Sequence, residues 1–147
     1  MNLKKSLAML SLMGAVFVAG IYSGMQLPAA DAAQAKSARI FELRTYTCNE
    51  GKLDDLHARF ANHTNYLFVR HNMTLVGYWT PAEGDTAQNT LTYIIAHENR
   101  EAAKENWTAF INDPDWKAAY EASKKDGPLI NKVDSTFLNP TDYSPLR

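Results

Sequence analysis

The run Arg39-Ile40-Phe41-Glu42-Leu43-Arg44-Thr45-Tyr46-Thr47-Cys48 decides the fold. It is rich in aromatic and β-branched residues and it alternates. Phe41, Leu43 and Thr45 point one way, and Ile40, Glu42, Arg44 and Tyr46 the other. Apolar groups stand on both sides of this strand, so a sheet built on it has two faces to cover.

Working outward, Asn49-Glu50-Gly51 breaks the strand. Leu53, Leu56, Phe60, His63 and Leu67 then recur at steps of three and four, which predicts an amphipathic helix ending near His71. Residues 73–80 read as a second strand closed by Pro81 and residues 90–97 as a third, with turn chemistry at Glu83-Gly84-Asp85 joining them as a hairpin. Asn99 can cap a helix whose inner stripe is Ala103, Trp107 and Phe110, ending around Ile111. Asp113-Pro114 opens another at once, with an acceptor at the cap and proline where its missing N–H costs nothing. That helix carries Trp116, Ala119, Tyr120 and Ser123 on one side and stops at Gly127-Pro128. Residues 133–138 make a fourth strand, and residues 139–147 a tail.

The order β-α-β-β-α-α-β is that of a ferredoxin-like α+β sandwich, with helices on one face of the sheet. On the predicted strands Ile40 and Tyr46 oppose Phe41 and Leu43, and Val76 and Tyr78 oppose Leu75 and Trp79. Both faces are too apolar for a bare monomer. Two sheets stacked across a two-fold axis would bury the second face, so a homodimer is expected.

The N-terminus reads as a leader over residues 1–35: a basic start at residues 1–5, an apolar run over residues 6–25, and small residues at cleavage spacing in Ala30-Asp31-Ala32 or Ala33-Gln34-Ala35. A cleaved signal peptide and an uncleaved anchor both remain open, because the run approaches the roughly 20 residues that span a bilayer. Either way residues 36–147 form one domain outside the cytoplasm, periplasmic or secreted, touching the membrane only through an uncleaved leader. At 147 residues, 46% apolar and 21% charged, the chain is globular in composition. A net charge of -1 without a basic cluster argues against nucleic acid. A lone Cys48 cannot close an internal disulfide; it is either a half-buried strand thiol or one end of a bond between chains.

Seven segments, in order, resemble the NIPSNAP domain: Glu42-Leu43-Arg44-Thr45-Tyr46-Thr47, Gly51-Lys52-Leu53, Arg70-His71-Asn72-Met73, Val76-Gly77-Tyr78-Trp79, Asn99-Arg100-Glu101-Ala102-Ala103, Asp113-Pro114-Asp115-Trp116 and Pro140-Thr141-Asp142-Tyr143-Ser144-Pro145-Leu146. The resemblance spans residues 39–147. It implies a dimeric α/β barrel, two ferredoxin-like sheets packed face to face. It implies little chemistry: the family is known for mitochondrial proteins with interaction and signalling roles in animals, and for uncharacterised bacterial domains. The wider superfamily includes cofactor-free monooxygenases, haem-degrading enzymes and stress-response proteins. A secretory leader and a single domain set this chain apart from the mitochondrial members.

Among candidate site residues, His57, His63, His71 and His97 show no helical pairing, so neither a metal nor another cofactor is expected. His63 falls on the first helix's apolar stripe and is expected to point at the sheet, either as a bonded core histidine or as a pocket acid or base near Tyr78 or Trp79 and Tyr93. His71 and Arg70 either cap the helix's negative end or meet an anionic ligand at a pocket rim or dimer contact. The candidate pocket is thus His63, His71, Trp79 and Tyr93. Glu42, Arg44 and Tyr46 share a strand face and are expected to form a network across the dimer seam or around a ligand. Trp107 and Trp116 read as core.

Two functions stand side by side. One is a dimeric binding or interaction module for a small apolar ligand or partner protein. The other is a cofactor-independent monooxygenase-like enzyme acting on a small aromatic or quinone-like substrate through His63, Trp79 and Tyr93, which rests on fold analogy. Haem binding would need His63 or His71 as an axial ligand.

Overall fold

Alternation makes β1 (Ile40–Cys48) a strand, and the chain threads it into the middle of a four-stranded sheet of order β2-β3-β1-β4. The computed structural model describes residues 39–146, so the leader read over residues 1–35 lies outside the described residues. After β1 come α1 (Leu53–Arg59), a π turn (Phe60–Thr64), α2 (Asn65–Arg70), β2 (Thr74–Trp79), β3 (Thr90–His97), α3 (Arg100–Asn112), α4 (Pro114–Ser123) and β4 (Ile130–Leu138). All three strand pairings are antiparallel. This is the expected α+β ferredoxin-like order.

The local signals act where they were read. Asn99 Oδ1 accepts from the Ala102 amide at 2.8 Å and starts α3. Asp113 Oδ1 accepts from the Asp115 amide at 2.8 Å and starts α4 with Pro114 in its first turn. After α2 the chain turns at Asn72, whose φ of 58° is the left-handed conformation that asparagine tolerates, and the Met73 amide reaches back to the Phe68 carbonyl at 2.9 Å.

Helices and sheet bury Leu56, Phe60, Leu67, Phe68, Tyr93, Ile95 and Phe110 between them. Each such side chain stabilises the fold by about 1.5–3 kcal/mol relative to exposure. Phe60 meets Tyr93 edge-on at 5.2 Å, and Phe68 packs on Phe110 at 4.9 Å.

Two irregularities change which residues face the core. The π turn holds one residue more per turn than an α-helix, so the inward position after Phe60 falls to Thr64, buried at 1%, and His63 turns out to solvent. Thr64 Oγ1 donates to the Arg59 carbonyl, five residues back, at 3.2 Å. The expectation that His63 points at the sheet is corrected on that ground. In β2 the register with β3 shifts between Leu75 and Gly77, so Leu75 pairs with Ile95 and Tyr78 with Tyr93, both on the helix side. A bulge therefore puts Leu75 and Tyr78 on one face, where strict alternation had set them apart.

The sheet's outer face carries Leu43, Ile94 and Trp79, with Thr45 and Thr92 sharing a hydroxyl contact at 3.3 Å. Trp79 is 52% exposed. No helix among the described residues covers this face. The tail lies against one end of it, where Pro140 and Leu146 line a shallow pocket with Phe41 and Ile94.

Candidate functional site

Glu42 faces the helices. Its side chain is buried at 1%, and every lone-pair direction is used. Arg44 Nη1 donates to Oε1 at 2.6 Å and Ser135 Oγ at 2.7 Å; Trp107 Nε1 donates to Oε2 at 2.6 Å and His97 Nε2 stands 3.2 Å away. Asn106 Nδ2 meets the other ring nitrogen of His97 at 3.4 Å. The Arg44 guanidinium lies 4.4 Å above the Trp107 ring. Burial alone would raise the Glu42 carboxyl, but the donors outweigh it and hold it down to about 2. A carboxylate so saturated has nothing left for a substrate. This corrects the expected position of Glu42, Arg44 and Tyr46: the trio lies beneath the helices and off the outer face where a second copy would stack. The Tyr46 hydroxyl accepts from Tyr93 at 2.9 Å inside the same layer.

Arg70 and His71 converge on Asp113. Its Oδ2 accepts from Arg70 Nη2 and meets His71 Nε2 at 2.6 Å, while Oδ1 caps α4. Arg70 also donates to Asp115 at 2.9 Å. The Arg70 guanidinium, followed by the other donors, holds the Asp113 carboxyl well below the usual carboxylate range. One aspartate thus ties the end of α2 to the start of α4, and His71 is committed to that tie.

A third region has unfilled capacity. A groove of about 400 Å³ runs between the π turn and β2, lined by His57, Phe60, Ala61, Asn65, Tyr78, Trp79, Thr80 and Leu91. Two polar atoms of its lining residues, Tyr78 Oη and Asn65 Oδ1, are buried without a hydrogen-bond partner. Burial pushes the Tyr78 hydroxyl up to about 12, so it stays protonated and able to donate. Its ring is stacked on Tyr93 at 5.5 Å and fixed edge-on by Phe60 at 5.7 Å.

The four expected pocket residues do not meet. Tyr93 is fully buried in the core, His71 pairs with Asp113, Trp79 lies on the outer face at the groove's edge, and His63 lines separate grooves beside α4. Sequence reasoning passed over Asn65 as a groove residue, and named Tyr78 only as an alternative neighbour of His63. The available signal was the polar tip of Tyr78 on an otherwise apolar strand face. Among the described residues no three His, Cys, Asp or Glu side chains gather as a metal site, and no helix is long and apolar enough to cross a membrane.

This sheet order, with helices on one face, defines a ferredoxin-like α+β domain. The chain belongs to the NIPSNAP family, whose pattern it matches over residues 41–145. Among solved structures it is similar to a NIPSNAP family protein of unknown function from Agrobacterium tumefaciens, at 22% identity and TM-score 0.65, covering 76% of this chain and 96% of that one. It is similar also to an uncharacterized NIPSNAP-like domain protein from Burkholderia xenovorans, at 18% identity and TM-score 0.65, covering 74% and 90%. A further NIPSNAP family protein from Agrobacterium tumefaciens aligns at 22% identity and TM-score 0.65, covering 74% and 99%. At these identities the likeness concerns the fold. No curated protein matches the chain.

Proposed function

We propose that this NIPSNAP domain is an exported, two-fold dimeric binding module that holds a small, mostly apolar ligand in the groove between the π turn and β2. The observation that carries the reading is the pair of buried, unpartnered atoms on two residues of that groove's wall, Tyr78 Oη and Asn65 Oδ1. A buried polar group without a partner costs about 1–3 kcal/mol, and a fold retains such a cost where a ligand repays it. The groove offers a hydroxyl donor and an amide acceptor beside Phe60 and Leu91, which suits a compact apolar molecule carrying one polar group. The π turn forming one wall is a second support, because such turns gather at functional sites.

Support for pairing comes from the uncovered outer face with Leu43, Ile94 and Trp79; support for export comes from the sequence of residues 1–35. His63, Trp79 and Tyr93, the trio on which an oxygenase reading would rest, lie in three different places, so no specific arrangement favours it.

Native mass spectrometry of protein recovered from its own export compartment reports the oligomer and any bound molecule together. A dimer with a bound small molecule is expected, lost in Tyr78→Phe while thermal stability holds or rises. A bare monomer, or a Tyr78→Phe variant that keeps its ligand, contradicts the proposal.

A further inference from the structure

Arg59 is a buried cation with no counter-ion among the described residues. It is 4% exposed, its Nη1 donates to Ser123 Oγ at 3.2 Å, and its Nε is buried without a partner. None of the ion pairs among the described residues includes it. Trp116 and Tyr120 flank the guanidinium at 5.3 Å and 5.5 Å from their ring centroids, which softens the cost of burial without supplying negative charge. Burial lowers its proton affinity, and the groups that act against that are Tyr46, Tyr120, Tyr93 and Cys48. Guanidinium remains charged throughout. A charge of this kind is normally paired, and an unpaired one costs several kcal/mol.

The fork of Arg59 is half used. With Nη1 on Ser123, the edge formed by Nε and Nη2 is the one that matches the two oxygens of a carboxylate. Arg59 lines a groove of about 300 Å³ between α1 and α4, and a second groove of about 470 Å³ shares Asn62, His63, Ala119 and Ala122 with it. The second is mainly apolar, with Leu67, Tyr66 and Ala118 along it. A charged end and an apolar run are therefore continuous. Two aspartates, Asp55 and Asp126, also line the first groove, and their repulsion grows with ligand charge, which disfavours a dianion such as phosphate.

The geometry points to a binding site for an amphipathic monocarboxylate, its carboxylate on Arg59 and its apolar body along the alanine-lined groove beside α4. This site stands apart from the groove of Tyr78 and does not depend on it.

Calorimetric titration of the full chain with octanoate, octanol and inorganic phosphate tests the assignment. Octanoate binds at least about tenfold more tightly than octanol or phosphate and raises Tm. Arg59→Met replaces a buried cation with an apolar chain of similar length, so it stays folded and loses the octanoate response. Ala122→Leu fills the shared part of the groove without touching the charge and weakens octanoate while leaving the fold intact. Octanol or phosphate binding as well as octanoate overturns the proposal, as do octanoate affinity unchanged in Arg59→Met and no octanoate binding by the wild type. Should Arg59→Met fail to fold, Ala122→Leu decides alone: unchanged octanoate binding there removes the site.

Discussion

The indole of Trp79 lies across Gly77, so that a Cβ built on that glycine would stand 2.6 Å from the ring's Cη2. Gly77 does not occupy the left-handed region, so the glycine serves the close approach of the ring rather than a special backbone angle. Gly77→Ala pushes the half-exposed indole off the outer face at little cost to the isolated domain. The expected result is an unchanged far-UV spectrum, a shift in Trp79 emission, and a dimer weakened at least about tenfold in sedimentation equilibrium. Equal self-association of variant and wild type would separate Trp79 from the pairing face.

Glu42 makes stability depend on acid. Its folded carboxyl sits at about 2 against an ordinary 4.5, with burial opposing and donors from His97, Ser135, Trp107 and Arg44 prevailing. Because the folded value is the lower one, the contribution is fully present above the ordinary value and is lost as pH falls from there toward the folded one. It amounts to about 3 kcal/mol near neutral pH. Denaturant midpoints for the wild type should fall between about pH 5 and about pH 2, whereas Glu42→Gln starts lower and stays flatter over that interval. Parallel curves would mean that the carboxylate is not held by these donors.

Asp113 performs two tasks with two oxygens, and substitution separates them. Asp113→Asn keeps an acceptor for the cap but drops the charge opposite Arg70; Asp113→Ala loses both. Thermal melts should order wild type above Asn above Ala, and Arg70→Met should cost little once Asp113 is Ala. Additive losses from Arg70→Met and Asp113→Ala would show that the tie contributes nothing beyond the cap.

The π turn contains one residue more than an α-helix needs. Deleting the exposed Asn62 should close the turn into a continuous helix that still buries Leu56, Phe60 and Phe68, leaving a folded and at least equally stable domain. The same deletion moves Asn65 relative to Tyr78, so it should abolish any ligand held in that groove. Loss of folding on deletion would show that the extra residue serves packing instead.

Element order was legible because strands, caps and stops are local signals: alternation from Ile40, Asn99 and Asp113 as acceptors, and Gly127-Pro128 as a stop. What escaped was relational. Alternation sorts Glu42 from Leu43 but does not say which of them lies under helices, and only Trp107 arriving from α3 decides it. The spacing of Phe60, His63 and Leu67 is compatible with an unbroken helix, so the added turn that promotes Thr64 and ejects His63 leaves no mark in the pattern. A bulge at Val76 is equally silent. Asp113 was recognised as a cap, yet its link to Arg70 and His71 joins distant segments that only the fold brings together. Arg59 drew no attention in the helical pattern, because only α4 closing over it makes it a buried cation.

The sulfur of Cys48 ends β1 at 4% exposure, and burial raises its thiol above the ordinary range. Oxidants and stray thiols reach it only when that end of the strand comes apart. A maleimide dye added to the native protein would therefore be consumed at the pace of local opening, making this atom a built-in clock for how often the sheet loosens.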